Sequence, residues 1–338
     1  MDLLGLSTLG LITIALTLAF EFVNGFHDSA NSIATVVATK VLSPVYAVAL
    51  AAAFNFLGIF LGLEVAKTMG TGIIDTGLLM DYGVPLIFCA IMGAIIWDLI
   101  TWWFGIPTSS SHALIGGLVG AGAAVWFIDA VVWTSVLKTI AFIVISPIAG
   151  MAIAFGLAVI VMRIAKRASR SLVNKWFRKL QIGSMAYLSL THGTNDAQKG
   201  MGIIATVMML EAGTFATGSF AVDDWVRLSC GAMLALGTFF GGWRIVKTMA
   251  TRITKLDPYQ GFCAETGAAT MLLITAIFGI PVSTTHTASG AIMGVGATKR
   301  ASAVRWGVGR RIVIAWILTI PASATISGLL FLSYVWFF

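Results

Sequence analysis

The sequence contains one segment twice. Residues 88–122 and 262–296 are offset by 174 positions, and 17 of the 35 aligned residues are identical. The shared core is FGIP followed by a Ser/Thr run and a histidine, at 104–112 and 278–286. A duplication of this strength predicts that the chain folds as two copies of one unit.

A second pair of segments lies earlier in each half. GFHD at 25–28 matches GTND at 193–196. After each comes IATV, at 33–36 in the first half and 204–207 in the second, with three extra residues before the second copy. The repeat therefore covers most of the chain.

Composition decides the class of protein. Hydrophobic residues make up 58% of the 338 and charged residues 10%, whereas soluble domains are roughly a quarter charged. Too little polar surface remains to coat a soluble globule, so we expect an all-α polytopic membrane protein. This excludes a disordered chain, a nucleic-acid-binding protein and a secreted disulfide scaffold. The three cysteines lie in apolar stretches and fit small buried side chains.

Apolar stretches predict three membrane crossings in each half. They lie near 9–39, 45–66 and 131–162, and near 182–210, 225–246 and 312–335. Each half also has a segment, 85–127 or 258–298, that is expected to enter and leave the membrane on one face as a re-entrant hairpin. An odd number of crossings turns the second half over, and such inverted repeats are typical of secondary transporters.

Basic residues predict the orientation. Seven Lys or Arg lie between 163 and 179, and none precedes Lys40. Since cytoplasmic loops collect positive charge, we expect the central linker inside and both termini outside, in a plasma (inner) membrane. The net charge of +7 is then a topology signal. The predicted units are a first repeat (1–162), a basic linker (163–181) and a second repeat (182–338).

Asp28 and Asp196 stand in the middle of apolar stretches, at corresponding places of the two halves. Ionisable groups at membrane depth are costly and usually mark an ion or substrate path, although an ion pair that only holds helices together is the structural alternative. Further polar residues accompany them: Asn24, His27 and Asn31 in the first half, and His192, Asn195, Gln198 and Lys199 in the second. Nearby glycines predict that the helices unwind here.

The Ser/Thr runs carry a different chemistry. Proline ends the incoming helix of each hairpin, and hydroxyl residues then precede a Gly-rich helix as N-cap residues would. Free N–H groups and the positive end of that helix favour an anion. The tip residues expected to bind substrate are Thr108, Ser109, Ser110 and Ser111 in the first half and Ser283, Thr284 and Thr285 in the second. The structural alternative is a helix break lined by Ser and Thr that binds no ligand.

Other charged and aromatic groups are ambiguous from sequence. Glu265 and Asp98 lie on the incoming arms of the hairpins but are not equivalent under the repeat. Each fits either a coupling or gating role or a structural hydrogen bond. Lys199 could neutralise Asp196 or attract the anion. His112 and His286, which end the tip motifs, are candidates for gating, as is Lys199.

The motifs NGFHDSAN at 24–31 and HGTNDAQKG at 192–200, with the two GIP-containing tips, resemble the inorganic phosphate transporter family over nearly the whole chain. The resemblance implies an inverted-repeat secondary transporter that takes up phosphate with a cation. It implies that the tip hydroxyls, with Asn31 and Gln198, bind phosphate. It also implies that the cation is coupled through the Asp motifs, which contain Asn24, His27, Asp28, His192, Asn195 and Asp196.

One departure bears on the cation. Sodium-coupled members of the family typically have Asn before the first motif's aspartate, where this chain has His27. Imidazole is a poorer sodium ligand and titrates near neutral pH. The chain therefore looks more like the bacterial, low-affinity, proton-coupled branch, which is also associated with metal-phosphate uptake.

Several alternatives stay open. A sulfate or other oxyanion permease, a sodium-coupled phosphate symporter and a phosphate channel would all suit the same scaffold. An intramembrane enzyme with Asp28 and Asp196 as a dyad is disfavoured because the chain has neither HExxH nor GxSxG. We expect no cofactor and no resident metal. The expected partners are phosphate and the lipid bilayer, with no nucleic acid, and a homodimer stays open as the assembly.

Overall fold

The computed structural model describes residues 6–216 and 218–337, and that part of the chain is built from helices with no strand longer than an isolated bridge. The first half contains α1 (Thr8–Ala38), α2 (Pro44–Gly58), α3 (Glu64–Thr71), α4 (Thr76–Phe104), α5 (Ser110–Trp126) and α6 (Trp133–Ala165). The second contains α7 (Arg170–Glu211), α8 (Asp224–Phe240), α9 (Trp243–Arg252), α10 (Pro258–Ile277), α11 (Thr284–Ala297) and α12 (Trp306–Phe337). The all-α prediction is confirmed.

Four helices are long and apolar enough to cross a membrane: α1, α4, α6 and α12. α7 is longer than any of them but carries four of the seven basic residues of the predicted linker. Most of that linker is helical, since α6 continues to Ala165 and α7 starts at Arg170. A turn of four residues therefore connects the two halves.

The equivalent helices α1 and α7 lie against each other in opposite directions. Hydrogen bonds join them along their length: Ser7 to Glu211, Glu21 to Gly200, and Thr39 to Gln181. As residue numbers rise along α1 they fall along α7. The centres of the two helices, which carry the two aspartate motifs, thus meet near the middle of the molecule.

Close glycine contacts fix the helices that flank this pair. A Cβ on Gly25 of α1 would lie 2.1 Å from the carbonyl oxygen of Leu234 on α8. A Cβ on Gly193 of α7 would lie 2.1 Å from the carbonyl oxygen of Asn55 on α2. Only glycine permits such an approach, and because Gly25 and Gly193 are equivalent under the repeat, the two crossings correspond.

The predicted unwinding at the aspartate motifs is wrong. Both α1 and α7 run through 24–31 and 192–202 as unbroken helices. The glycines there serve close packing, and the polar side chains find partners without opening the backbone. Each half does contain a broken helix, but the interruption lies in the second segment, between α2 and α3 and between α8 and α9.

The re-entrant segments fold as helical hairpins, α4–α5 and α10–α11. α4 begins earlier than the sequence predicts and is kinked at Gly83. The second arm of each hairpin packs on the last helix of the other half. Ser323 and Ser327 of α12 donate to carbonyl oxygens of α5, while Gly290 of α11 fits against α6. The two halves are therefore interlocked through their hairpins.

Candidate functional site

The two hairpin tips touch at the centre of the molecule. Ser111 Oγ of the first tip donates to the carbonyl oxygen of Val282 in the second, at 3.1 Å. The rings of His112 and His286 lie 4.7 Å apart, centre to centre. The amino-terminal ends of α5 and α11, with their positive dipole ends, consequently face each other.

A serine is the N-cap residue at the start of each of these two helices. Ser109 Oγ accepts from the His112 N–H at 3.2 Å, and Ser283 Oγ accepts from the His286 N–H at 3.1 Å. Each cap satisfies one backbone donor of its helix end. The capping hydroxyls keep their own protons free to donate elsewhere.

Hydroxyl groups from both tips surround Asp28. Ser110 Oγ lies 3.2 Å from Asp28 Oδ2. From the second tip, Thr285 Oγ1 lies 3.2 Å from Oδ1 and Thr284 Oγ1 lies 3.4 Å from Oδ2. Asp28 itself is buried, so these hydroxyls replace the water that would otherwise solvate it.

Asp196 lies on the opposite side of the same tip. Thr284 Oγ1 is 3.4 Å from Asp196 Oδ2, which places this hydroxyl between the carboxylates of the two halves. Lys199 Nζ lies 3.1 Å from Oδ1 and His192 Nε2 lies 3.2 Å from Oδ2. Asp196 therefore belongs to an ion-pair cluster that is fully buried.

Lys199 connects this cluster to the first tip. Its ammonium group donates to Ser110 Oγ at 3.0 Å and to Ser111 Oγ at 2.9 Å. The side chain is 1% exposed, which is rare for lysine unless it is paired. Of the two roles that the sequence left open, the geometry permits both, because the same ammonium touches Asp196 and the tip hydroxyls.

The two aspartates each have a histidine partner, although at different motif positions. His27 Nδ1 lies 2.8 Å from Asp28 Oδ1, whereas Asp196 is approached by His192, four residues earlier. The repeat aligns His192 with Asn24, and His27 with Asn195. The histidine and asparagine positions are thus exchanged between the halves.

Asparagine side chains link the motifs to the tips. Asn24 Oδ1 accepts from Ser110 Oγ at 2.6 Å. Asn31 Nδ2 donates to the hydroxyls of Thr284 at 3.1 Å and Thr285 at 2.9 Å. Asn195 instead donates to carbonyl oxygens, including that of Leu272 on α10. The motif at residues 24–31 is therefore hydrogen-bonded to both tips.

Two of the candidate residues lie elsewhere. Gln198 Oε1 accepts from the N–H groups of Val65 and Ala66 at the start of α3, so it stabilises the broken helix. Glu265 is hydrogen-bonded in a separate cluster formed with Thr35, Gln181 and Ser184. Thr35 is two helical turns beyond Asp28 on α1, which is roughly 10 Å along the axis.

Thr108 extends the His27 side of the site. Its hydroxyl lies 3.3 Å from His27 Nε2 and donates to Thr101 of α4 at 2.9 Å. Asp98, one turn before Thr101, is buried, and among the described residues neither of its carboxylate oxygens has a hydrogen-bond partner. The second half has Leu272 at the position equivalent to Asp98, so this acidic extension belongs to the first half alone.

Glu21 was missed from the sequence. Its buried carboxylate accepts from the Gly200 N–H at 2.7 Å and lies within electrostatic range of Lys199 and Asp196. The available signal was an acidic residue in an apolar span, seven positions before Asp28 and therefore on the same helix face.

Acidic groups outnumber cationic ones at this centre. One lysine faces the carboxylates of Asp28, Asp196 and Glu21, with Asp98 nearby. Ligand atoms of Asp28, His192 and Asp196 all lie within 4.8 Å of one another. Carboxylates this close can share a proton or a small cation, while the tip hydroxyls offer donors to an oxyanion.

Comparison with known proteins identifies the family. The profile of the Phosphate transporter family matches residues 24–327. A probable low-affinity inorganic phosphate transporter of Rhizobium meliloti is 55% identical over 94% of this chain and 93% of that protein. A Bacillus subtilis protein of the same description is 42% identical over 97% of both chains.

A solved structure described as the sodium-dependent phosphate transporter superimposes with a TM-score of 0.89. The match covers 98% of this chain and 100% of that one at 25% identity. These relatives are transporters and not enzymes, which removes the dyad hypothesis. The apolar helices and the family together define a multi-pass membrane protein with phosphate as the transported anion. The chain belongs to the phosphate transporter family.

Proposed function

We propose that this protein imports inorganic phosphate by symport with protons. The observation that carries the proposal is that hydroxyls of both hairpin tips lie within hydrogen-bond distance of the carboxylates of Asp28 and Asp196. The same hydroxyls are the donors that a phosphate between the tips would need. Carboxylate and phosphate therefore compete for one set of hydrogen bonds.

Protonation resolves this competition. An ionised carboxylate only accepts hydrogen bonds, whereas a protonated one also donates. When Asp28 takes up a proton, Ser110 and Thr285 are free to turn toward phosphate, and the carboxyl group becomes a further donor. Proton binding thus prepares the anion site, and phosphate stabilises the protonated form in return.

The net charge of the buried centre also favours binding of a cation together with phosphate. Adding a phosphate anion to a buried centre that already has more carboxylates than cations would cost several kcal/mol of desolvation and repulsion. A cation that enters with the anion removes most of this cost. We infer that the two ions bind interdependently, which is the physical requirement of symport.

His27 is the residue that favours protons. Its imidazole contacts Asp28 on one side and the Thr101 and Thr108 hydroxyls on the other, so a proton can be held at the ring or at the carboxylate. Sodium is the second candidate. It is favoured by the close spacing of Asp28, His192 and Asp196 and by the description of the matching solved structure as sodium-dependent.

Phosphate is preferred to sulfate for a related reason. Near neutral pH phosphate retains a proton and can donate it to a carboxylate, whereas sulfate has none. Competition between the two anions for uptake into proteoliposomes tests this preference. Strong inhibition by sulfate would support the broader oxyanion permease.

The uptake experiment tests the coupling directly. Labelled phosphate entry is measured in liposomes under separately imposed proton and sodium gradients. We expect the wild type to accumulate phosphate with an inward proton gradient alone. Strong stimulation by sodium alone, at equal pH on both sides, would contradict proton coupling and leave the phosphate site intact.

His27→Asn is expected to shift this preference toward sodium, because it supplies an amide oxygen where the imidazole stands. The readout is the ratio of sodium-driven to proton-driven uptake. Phosphate counterflow in the same variant is the control that shows a folded carrier. An unchanged ratio with normal counterflow would remove His27 from the coupling mechanism.

Loss of a tip hydroxyl should weaken substrate binding. A hydrogen bond to a charged group contributes about 1.5–3 kcal/mol, so Ser110→Ala or Thr284→Ala should weaken phosphate binding about tenfold or more. Thr287→Ala is the matched control, since that hydroxyl donates to the carbonyl of Ser283 within its own helix. Wild-type binding in both tip variants would contradict the assignment.

We further propose that the termini lie outside and residues 163–179 inside, as the basic residues indicate. Single cysteines at positions 2 and 171, in a cysteine-free background, can be labelled from one side of the membrane. The expected result is labelling from opposite faces. Labelling from the same face would contradict the inverted arrangement.

A further inference from the structure

An apolar groove of about 760 Å³ runs along the outer surface between α6 and α12, with α11 at its base. Its walls include Ile148 and Met151 of α6 and Ile314 and Ile317 of α12. Ile148 is 53% exposed and Ile317 is 64% exposed. The groove therefore lies open toward the lipid and away from the aspartate site.

One end of the groove is basic. Arg310 lines it, one turn into α12, and is exposed. Residues 299–311 contain five Lys or Arg and no acidic residue. Of these five, Lys299 is neutralised by Asp257 at 2.7 Å. Within the described residues Arg310 has no acidic partner within 4 Å, so its charge is available to a ligand in the groove.

The other end reaches the hairpin tips through Trp316. This indole lines the groove and is otherwise buried. Its ring stacks on His286 of the second tip, with centres 3.8 Å apart. Its Nε1 donates to the carbonyl oxygen of Pro107 in the first tip at 3.2 Å. A single side chain thus connects the groove to both tips.

We propose that this groove is a binding site for one anionic phospholipid, with an acyl chain along α12 and the headgroup phosphate at Arg310. The apolar walls match the chain, and the unneutralised guanidinium matches an anionic headgroup. From Arg310 to Ile317 the helix rises about 10 Å, which suits the upper part of an acyl chain. A bound chain packs against Trp316 and so steadies the contact of Trp316 with both tips.

Lipid binding is measured first, without transport. The purified protein is exchanged into nanodiscs of phosphatidylcholine with phosphatidylglycerol, and retained lipid is counted by native mass spectrometry. We expect retained phosphatidylglycerol, and a loss of about fivefold in Arg310→Gln, the effect of one basic residue near an anionic lipid. Arg311→Gln is the matched control, because the next residue does not line the groove.

The link to the tips is measured second. Counterflow in phosphatidylglycerol liposomes should exceed that in pure phosphatidylcholine for the wild type and Arg311→Gln, and not for Arg310→Gln. Ile314→Trp, which fills the groove, should also lose retained lipid.

Equal lipid retention in Arg310→Gln and wild type would overturn the site. So would disulfide cross-linking of two copies through Ile314→Cys, because a second copy would then cover the groove. The lipid count does not depend on which ion is coupled, so its failure is separable from failure of the proposed symport.

Discussion

Asp28→Asn and Asp196→Asn should each abolish gradient-driven phosphate accumulation, while phosphate exchange survives at least in part. Each substitution keeps the size of the side chain and removes the group that can gain and lose a proton. The amide oxygen can still accept from Ser110 or Thr284, but the hydrogen bonding there no longer changes with protonation. Binding persists, but it no longer depends on the cation.

The measurement compares net uptake under a proton gradient with counterflow in its absence. Asp129→Asn is the control, since that carboxylate is exposed at the far end of the first hairpin. In the wild type, bound phosphate should raise the affinity for protons, and bound protons should raise the affinity for phosphate. The two factors should be equal, because thermodynamic coupling between two binding sites is reciprocal. Accumulation by either aspartate variant would remove that residue from the coupling site.

Lys199→Met should have the second large effect. Methionine preserves the length of the side chain, but the ammonium contacts to Asp196, Ser110 and Ser111 are lost. Breaking a buried ion pair by removing one partner costs about 3–5 kcal/mol. We therefore expect a protein of lower thermal stability. Because the ammonium donor at the tips is also lost, at about 1.5–3 kcal/mol, phosphate binding should weaken about tenfold or more.

A double variant separates the two roles of Lys199. In Lys199→Met with Asp196→Asn both members of the ion pair are removed together, so the part of the stability loss that comes from leaving Asp196 unpaired should be recovered. If lysine also attracts the anion, phosphate binding stays weak in the double variant. Recovery of both stability and binding would show that Lys199 only neutralises Asp196. Lys199→Arg, which keeps the charge, should retain measurable binding.

The sequence predicts which residues meet better than it predicts the backbone that carries them. The duplicated motifs pick out Asp28, Asp196 and the tip hydroxyls, and the structure places these groups in contact. That they bind phosphate and the coupled ion stays a prediction. The exchange of histidine and asparagine between the halves was also visible in the aligned motifs, but only distances show that each carboxylate has a histidine.

Some features could not be obtained from the pattern of residues. Glycine beside a polar motif fits either an unwound helix or a close helix crossing, and only the position of α8 against Gly25 decides between them. Gln198 has the character of a ligand residue, yet its oxygen is bonded to the start of α3. Such a contact depends on where α2 ends, which no motif near Gln198 encodes.

The interlocked packing of the hairpins has a consequence for biogenesis. Residues 110–126 are synthesised early, but the helix that accepts them, α12, begins only at Trp306. Until α12 has been synthesised, Gly116 and Gly120 of α5, which pack against Ile320 and Ala324 of α12, have no native partner in the bilayer. The first half is therefore only partly assembled in the membrane until α12 is inserted. A chain that stops before Trp306 would expose the face of α5 that packs on α12 to quality-control proteases.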